Sequence, residues 1–295
     1  MAENFGNVIV NDLVMDSKFS GLLLPNLFHG DWMVPGVTFN DAYEKDATGV
    51  GGIVVRKLNI ARGKPAKPGR DYENEKATSE LKRIILNNSY DRSIPIHVAQ
   101  EAQVGFDLAA SYYELVLRQV REDMNQSGLA CLYTEGTVEA SPSGKTAKSK
   151  LLSARAKMQE KKVNPSVVLC SPQFYSQIID ESGTQYTPGI NEETNKSGIM
   201  KNWLGFTFVM ASGLSDSDSS DYIDYTDEMK TVASADMKKV EFILYEPRVF
   251  HCVNSVTNMR MIPSEHFSGL LVQTTVINGY RVTNRDGIYV ATSAT

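Results

Sequence analysis

Three consecutive residues, Gly144-Lys145-Thr146, have the types that end a phosphate-binding loop, in which a glycine-rich turn cradles phosphate before a helix. The motif also needs a glycine five positions before Gly144, and the residue there is Glu139. A carboxylate in the cradle would repel phosphate, and no apolar strand precedes it. The sequence therefore argues against a nucleotide site.

An acidic, serine-rich stretch from Ser212 to Met229 loosely follows the ligand spacing of a calcium-binding loop. The sixth position of such a loop needs glycine for its sharp turn, and Asp221 stands there. No clear helix precedes the stretch, so we expect a solvated acidic loop rather than a calcium site. The carboxylates that we single out in it are Asp216, Asp218, Asp221 and Asp224.

The remaining reactive residue types show no catalytic pattern. The four histidines lack metal-ligand spacing, and no serine lies in a glycine-x-serine-x-glycine elbow. They are His29, His97, His251 and His266. We therefore predict no catalytic residues, no metal ligands and no cofactor, and we expect a protein that is not an enzyme.

A basic segment runs from Arg56 to Arg70 without a single acid, and its tip is rich in glycine and proline, which is turn chemistry. Such an arm has too few apolar residues for a core of its own, so it needs another surface to pack on. We expect its tip bases to contact neighbouring subunits, where acidic loops could pair with them. Two solvated loops remain the alternative. The tip bases are Arg62, Lys64, Lys67 and Arg70.

Bulk composition limits the class of protein. A chain of 295 residues with 42% hydrophobic and 22% charged residues can fold around a sizeable core, in one or two domains. The net charge of -5 argues against a dedicated nucleic-acid binder. Three widely spaced cysteines predict buried thiols in a reducing cytoplasm. No apolar run approaches about 18 residues, and the first residues do not read as a secretion signal.

Three helices are predicted from periodicity and capping. Apolar residues at steps of three and four predict a long helix from Glu101 to about Tyr133, long enough to act as a spine. A basic helix follows over Lys145–Lys162. A third begins at Pro172, with Ser171 as its N-cap. Their predicted buried residues are Ala147, Leu151, Ala154 and Met158 in the second helix and Phe174, Ile178 and Ile179 in the third.

Short apolar runs between turn residues predict strands in an α+β chain. The expected strands are Ile53–Ile60, Ser79–Asn87, Val167–Cys170, Phe206–Ala211, Val240–Tyr245, Thr257–Ile262, Gly269–Ile277, Tyr280–Val282 and Ile288–Ala291. We expect a turn-rich break over Glu135–Gly144, a turn at Asn278-Gly279, and a short helix from Glu246-Pro247 through Val253.

The order of these segments resembles the major capsid protein of tailed bacteriophages, the Hong Kong 97-type capsid fold. Asn164-Pro165-Ser166-Val167-Val168-Leu169 followed by Ser171-Pro172-Gln173-Phe174-Tyr175 is similar to a strand-then-helix unit of that family. Trp203-Leu204-Gly205-Phe206-Thr207-Phe208-Val209 is similar to the glycine-then-strand segment that often follows it.

The resemblance implies a division of the chain into an N-terminal arm, an extended loop, a peripheral domain with the spine helix, and a mixed axial domain. These would be residues 1–46, residues 47–100, residues 101–140 with 259–282, and residues 141–258 with 283–295. Because the chain starts directly with the arm, we expect no large fused scaffolding segment.

The function implied by the resemblance is structural. Copies would form hexamers and pentamers of an icosahedral shell that encloses double-stranded DNA without sequence-specific binding. The shell would be assembled in the bacterial cytoplasm and would be part of the virion. Scaffolding, portal and decoration proteins would be partners, and no membrane would be involved.

Two alternatives remain open at this stage. An encapsulin-type nanocompartment would share the fold and enclose protein cargo instead of a genome. An unrelated cytoplasmic α+β enzyme would need a pocket with convergent polar groups, which the sequence does not show.

Overall fold

The computed structural model describes residues 32–43, 52–59, 78–86, 88–97, 108–184, 203–215, 222–224 and 230–293. Four helices of α type occur in these ranges: α1 Leu108–Glu135, α2 Ala147–Glu160, α3 Pro172–Thr184 and α4 Ser234–Met237.

The strands of the described ranges form four separate sheets. They are β1 Gly52–Asn59, β2 Thr78–Ile85, β3 Asn88–His97, β4 Thr137–Ala140, β5 Val167–Cys170, β6 Thr207–Met210, β7 Tyr222–Asp224, β8 Lys230–Val232, β9 Val240–Tyr245, β10 Phe250–Pro263, β11 Gly269–Val282 and β12 Ile288–Thr292. The mixture of helices with parallel and antiparallel strand pairs confirms the predicted α+β class.

A five-stranded sheet in the order β4-β12-β9-β5-β6 forms the first structural unit. The pairs β4/β12 and β5/β6 are parallel, and β9 is antiparallel to both of its neighbours. Strand β5 is apolar and buried at all four positions, as expected for a strand covered on both faces. Alternate residues of β9 accordingly enter two different cores: Ile243 packs toward α1, and Phe242 toward α2 and α3.

A three-stranded antiparallel sheet in the order β10-β11-β3 forms the second unit. Helix α1 connects the two units. Its later turns, around Leu129 and Leu132, lie in the core of the five-stranded sheet, whereas Val120 packs with Tyr90 and Val276 of the three-stranded sheet. At ~1.5 Å per residue the 28 residues of α1 span about 42 Å, so the helix acts as the predicted spine.

Hydrogen bonds fix α1 on the second sheet. The Tyr280 hydroxyl donates to the backbone oxygen of Met124 at 2.9 Å, and the Tyr90 hydroxyl donates to Ser127 Oγ at 2.8 Å. Because these groups are buried, each bond satisfies a polar atom that would otherwise be costly to remove from water. The helix is therefore held in one register along the sheet.

Several local predictions are confirmed. The bounds of β5 and β9 agree with the sequence, and all four predicted apolar residues of α2 are buried. Ser171 Oγ accepts from the N–H of Phe174 at 3.3 Å, as an N-cap should. Residues 101–107 of the predicted spine helix lie outside the described residues.

Other predictions are wrong. No turn occurs at Asn278-Gly279, because β11 runs unbroken through both residues. Gly279 is required for a different reason: a Cβ there would lie 2.3 Å from the Ile85 oxygen, where the end of β2 crosses the sheet. The helix expected through Val253 is a single 3₁₀ turn, Pro247–Val249, and the chain then enters β10.

Three further differences concern single elements. Ile179 of α3 is 43% exposed, whereas Ile178, about 100° away around the helix, takes the buried position. The predicted break over 135–144 contains β4, which pairs with the distant β12. Strand β3 is not among the predicted strands, because Pro95 and the polar residues of this segment do not give a strand-like pattern. It is an edge strand, where proline is tolerated.

Candidate assembly surface

Strands β1 and β2 form a two-stranded antiparallel ribbon, paired from Gly52↔Ile85 to Asn59↔Thr78. The ribbon follows the predicted rising and returning strands of the basic segment. On its inner face Ile53, Val55 and Ile84 are buried and pack with Val253 of β10. This contact attaches the base of the ribbon to the rest of the molecule.

The outer face of the ribbon is defined by Val54, Arg56, Leu81 and Arg83. Val54 lies opposite Arg83 and Leu81 lies opposite Arg56, so that apolar and basic side chains alternate on both strands. Val54 is 55% exposed and Leu81 59% exposed, the highest values among the exposed large apolar residues of the described ranges. A two-stranded ribbon is only marginally stable alone, so this face is suited to bind an apolar surface with acidic groups.

Sequence reasoning missed most of this outer face. The sequence marks Arg56 only as part of the basic run, and the predicted contact residues lie at the tip. Successive residues of a strand point to opposite faces. This period of two along β1 is the signal that assigns Ile53 and Val55 to one face and Val54 to the other.

Most of the predicted contact residues lie outside the described ranges. This holds for the tip bases Arg62, Lys64, Lys67 and Arg70 and for the acidic residues Asp216, Asp218 and Asp221. The backbone of Asp224 is described: it ends β7 and lies opposite Lys230 of β8. Their pairing between subunits therefore stays a prediction.

The bases of α2 serve the chain's own structure. Lys150 forms an ion pair with Glu241 at 2.7 Å, and Lys161 pairs with Asp286 at 3.2 Å. Arg155 donates to the Leu204 oxygen at 3.0 Å and lies over the Phe206 ring. These contacts bind α2 to the five-stranded sheet and reduce the basic surface that it offers to nucleic acid.

A third ion pair joins Lys157 of α2 to Glu139 of β4. The hydrogen bond from Lys157 lowers the pKa of Glu139, and the same bond raises the pKa of Lys157. Tyr289 also donates to Glu139, at 3.2 Å. Glu139 therefore holds the sheet edge to the helix.

Gly144-Lys145-Thr146, which has the residue types of a phosphate-binding loop, leads into α2. A carboxylate of the same chain binds the N–H groups at the start of this helix. Thr146 is the N-cap of α2, and Gly144 has a φ of +69°. The Glu181 carboxylate accepts from the N–H groups of Ala147 at 2.6 Å and Lys148 at 2.9 Å. Because a carboxylate already occupies the place that phosphate would take, the geometry agrees with the sequence argument against a nucleotide site.

The histidines that the structure describes are packed or exposed. His251 is buried against the Tyr43 ring, and burial lowers its pKa from 6.5 to about 4. The His97 ring lies 4.5 Å from that of Phe267. Within the described ranges, no three His, Cys, Asp or Glu side chains cluster in a way that could hold a metal ion.

Cys131, Cys170 and Cys252 form no disulfide and are all buried, which confirms the prediction of buried thiols. Among the helices described, none has the length and apolar character needed to cross a membrane.

Comparison with known proteins gives no match at the level of sequence: no protein-family model and no curated protein matches the chain. Solved structures do match. A chain of Mycobacterium phage Che8 is 15% identical, with a TM-score of 0.69 over 94% of this chain and 97% of that chain. The capsid structure of the cyanophage P-SCSP1u is 11% identical, with a TM-score of 0.68 over 97% and 94%.

The capsid of the Myoviridae phage XM1 matches over 99% of this chain and 100% of that chain, with 14% identity and a TM-score of 0.61. At these identities the likeness shows the fold. The chain therefore has the fold of the capsid proteins of tailed phages, over nearly its full length, as the sequence resemblance implied.

Proposed function

We propose that this chain is the major capsid protein of a tailed bacteriophage and forms the icosahedral head shell around a double-stranded DNA genome. The observation that carries the proposal is the match to capsid chains over almost the whole length of both partners. A match of that extent leaves little of the chain for an added catalytic domain, which supports a structural role. The three matched structures described above are phage structures, which favours a phage shell over an encapsulin-type compartment.

The proposed assignment of domains follows the order of the elements along the chain. Residues 1–46 are the N-terminal arm and residues 47–100 the extended loop. The peripheral domain comprises 101–140 and 259–282, and the axial domain comprises 141–258 and 283–295. Strands β5, β6, β9 and β12 with α2 and α3 support the axial assignment, and the packing of β11 on α1 supports the peripheral one. Hexamers and pentamers would form through the axial domain.

The outer face of the ribbon is the surface that we assign to contact with a neighbouring copy. Burying Val54 and Leu81 on a partner would contribute about 25 cal/mol per Å² of apolar area. The tip bases would add charge complementarity to acidic loops, which orients partners more than it strengthens them. Many such contacts, each weak, give a stable shell.

The DNA would be enclosed without sequence-specific recognition. The net charge of -5 and the internal pairing of the α2 bases support this reading. Scaffolding, portal and decoration proteins remain further partners of the proposal, and the virion its location.

Electron microscopy of the purified, overexpressed chain, with light scattering for mass, tests the proposal. We expect closed shells or rings of capsomer size, and virion-derived shells containing DNA. Particles that contain a protein cargo would instead establish a nanocompartment. A uniform monomer at every salt and crowding condition, also with scaffolding protein added, would contradict shell formation.

A matched pair of variants tests whether assembly depends on the bases of the loop tip. Four substitutions remove the tip charges: Arg62→Gln, Lys64→Gln, Lys67→Gln and Arg70→Gln. Four exposed bases elsewhere serve as the control: Lys145→Gln, Lys162→Gln, Lys238→Gln and Arg248→Gln. Both sets lower the positive charge equally, so only the tip set should reduce the yield of particles. Equal yields from both sets would contradict the role of the tip.

A further inference from the structure

Three asparagines lie side by side across the three-stranded sheet. Asn278 of β11 is paired with Asn254 of β10 on one side and with Asn88 of β3 on the other. Directly opposite residues of neighbouring strands point to the same face, with Cβ atoms about 4.5–5.5 Å apart. The three amides therefore form one polar row at a single level of the sheet.

This row faces α1 and lies in the core. The Asn278 Nδ2 group donates to the Tyr280 hydroxyl at 2.9 Å, and that hydroxyl donates to the Met124 oxygen of α1. Asn88 precedes Tyr90 by two residues and shares its face of β3, and the Tyr90 hydroxyl bonds to the same helix. Both Asn88 and Asn278 are 0% exposed, so bulk water does not solvate their amides.

Three atoms of these two buried side chains have no hydrogen-bond partner among the described residues: Asn88 Nδ2, Asn88 Oδ1 and Asn278 Oδ1. The two amides lie on opposite residues but are not hydrogen bonded to each other. A buried polar group without a partner is costly, and the great majority of such groups in folded proteins are bonded to protein or to ordered water. A further partner is therefore expected between them.

The types of the unpaired atoms decide what this partner is. An amide nitrogen only donates, and an amide oxygen only accepts. A cation would be repelled by the Asn88 Nδ2 group, and an anion by the two amide oxygens. Water can accept from the nitrogen and donate to an oxygen, and internal water molecules bind buried polar groups through about two to four hydrogen bonds each.

The two ends of the row lie at different places in the fold. Asn254 lines a groove of about 420 Å³ beside α1 that is open to solvent, so water can reach the row from this side. At the other end, Asn88 is the first residue of β3, and only Leu86 and Asn87 separate it from β2. The row therefore extends from a solvent-accessible groove to the root of the ribbon.

We propose that Asn88 and Asn278 bind internal water, which bridges the two amides and joins the first residue of β3 to the central strand β11. This water holds the place where the chain leaves the ribbon and enters the sheet. The Ile85 backbone passes close to Gly279 at the same place. The inference concerns the folded subunit alone and does not depend on shell formation.

A density map that resolves water, from crystals of the full-length subunit or from the particle, tests the proposal. We expect a peak within about 2.7–3.2 Å of both the Asn88 amide and the Asn278 Oδ1 atom. A direct hydrogen bond between the two amides, with no peak beside them, would overturn the proposal. Two unpaired amides with no peak within reach would overturn it as well.

Apolar substitutions of similar size give a second readout. Asn88→Leu and Asn278→Leu each leave the other amide without its bridge, and each should lower the midpoint of urea unfolding of the full-length chain by about 0.5 M or more. The double variant leaves neither amide to solvate, so its loss should be clearly smaller than the sum of the two single losses. An additive loss would overturn a shared water.

Ser89→Leu, at the exposed next position of β3, is the matched control and should leave the midpoint unchanged. The map of the wild-type chain decides the question even where a variant fails to fold. It also separates a bridging water from a direct bond between the amides, which the unfolding midpoints alone would not distinguish.

Discussion

The central strands of the five-stranded sheet bury side chains on both faces, whereas the β1-β2 ribbon buries one face and leaves the other in solvent. All four residues of β5 are buried, and Phe242 and Ile243 of β9 enter separate cores. In the ribbon, Ile53 is buried while its neighbour Val54 is 55% exposed. The sheet is therefore covered on both faces within one chain, whereas the outer face of the ribbon is left open to the neighbouring copy that we propose.

The sheet unit and the ribbon also differ in how their charged residues are paired. In the sheet unit, Lys150 is paired with Glu241 and Lys157 with Glu139, so its bases are used internally. On the ribbon, Arg56 and Arg83 lie opposite apolar side chains rather than acids. Ion pairs within the chain stabilise the sheet unit. The bases beside exposed apolar groups on the ribbon are suited to contact another surface.

The largest expected effect comes from opening the core of the sheet. Phe242 is 1% exposed, and its ring lies 4.7 Å from that of Phe174. Phe242→Ala should lower the free energy of unfolding of the dissociated subunit by about 3–5 kcal/mol, measured by urea denaturation. Ile179→Ala, on the exposed side of α3, should cost less than about 0.5 kcal/mol. Similar losses in both variants would contradict a self-sufficient sheet.

The next effect lies where the two sheet units meet, at His251 near the start of β10. Its folded-state pKa of about 4 is below the ordinary 6.5, so the unfolded chain binds a proton more readily between these values. Stability should therefore fall as pH decreases through this window, by about 2 kcal/mol from this residue at pH 5.

Urea denaturation at pH 7 and pH 5 measures this difference. His251→Gln should remove this share of the pH dependence, because glutamine does not titrate. An unchanged pH dependence in the variant would show that other groups produce it.

A smaller effect is expected at the start of α2. Glu181→Ala removes the carboxylate that accepts from Ala147 and Lys148, and should cost about 1–2 kcal/mol. The exposed neighbour Asp180→Ala is the matched control and should change stability by less than about 0.5 kcal/mol. Thermal unfolding at neutral pH and low salt would measure both. Equal values would mean that water replaces the carboxylate without cost.

The smallest effect on subunit stability is expected on the ribbon, where assembly should be most sensitive. Val54→Ser with Leu81→Ser should change the free energy of unfolding of the subunit by less than about 0.5 kcal/mol, because both side chains are exposed. Particle yield should nevertheless fall sharply. Leu152→Ser, at a position 42% exposed on α2, should leave both quantities unchanged. Normal particle yield in the double variant would contradict a role of the ribbon face in assembly.

The sequence predicted best the elements whose signals are local. The buried face of α2 follows from helical periodicity, and β5 and β9 are short apolar runs between turn residues. The features that it missed depend on distant contacts. Strand β3 carries Pro95 and few apolar residues, and only its pairing with β11 makes it a strand.

Gly279 is another feature that depends on a distant contact and could not be interpreted from local sequence. In sequence Asn278-Gly279 is a turn signal, but in the fold the glycine lets the Ile85 backbone pass close to β11. The candidate contact face was only partly predictable for a related reason. Basic charge marked the segment, while the exposure of Val54 and Leu81 depends on which face of the ribbon packs on Val253.

The most direct test is hydrogen–deuterium exchange of the assembled particle against the dissociated subunit. We predict that amides of β1 and β2 exchange more slowly in the particle, because a neighbouring copy covers the ribbon. Amides of β5 and β9 should exchange equally slowly in both states. Equal exchange of the ribbon in both states would contradict the claim that it is completed by a partner.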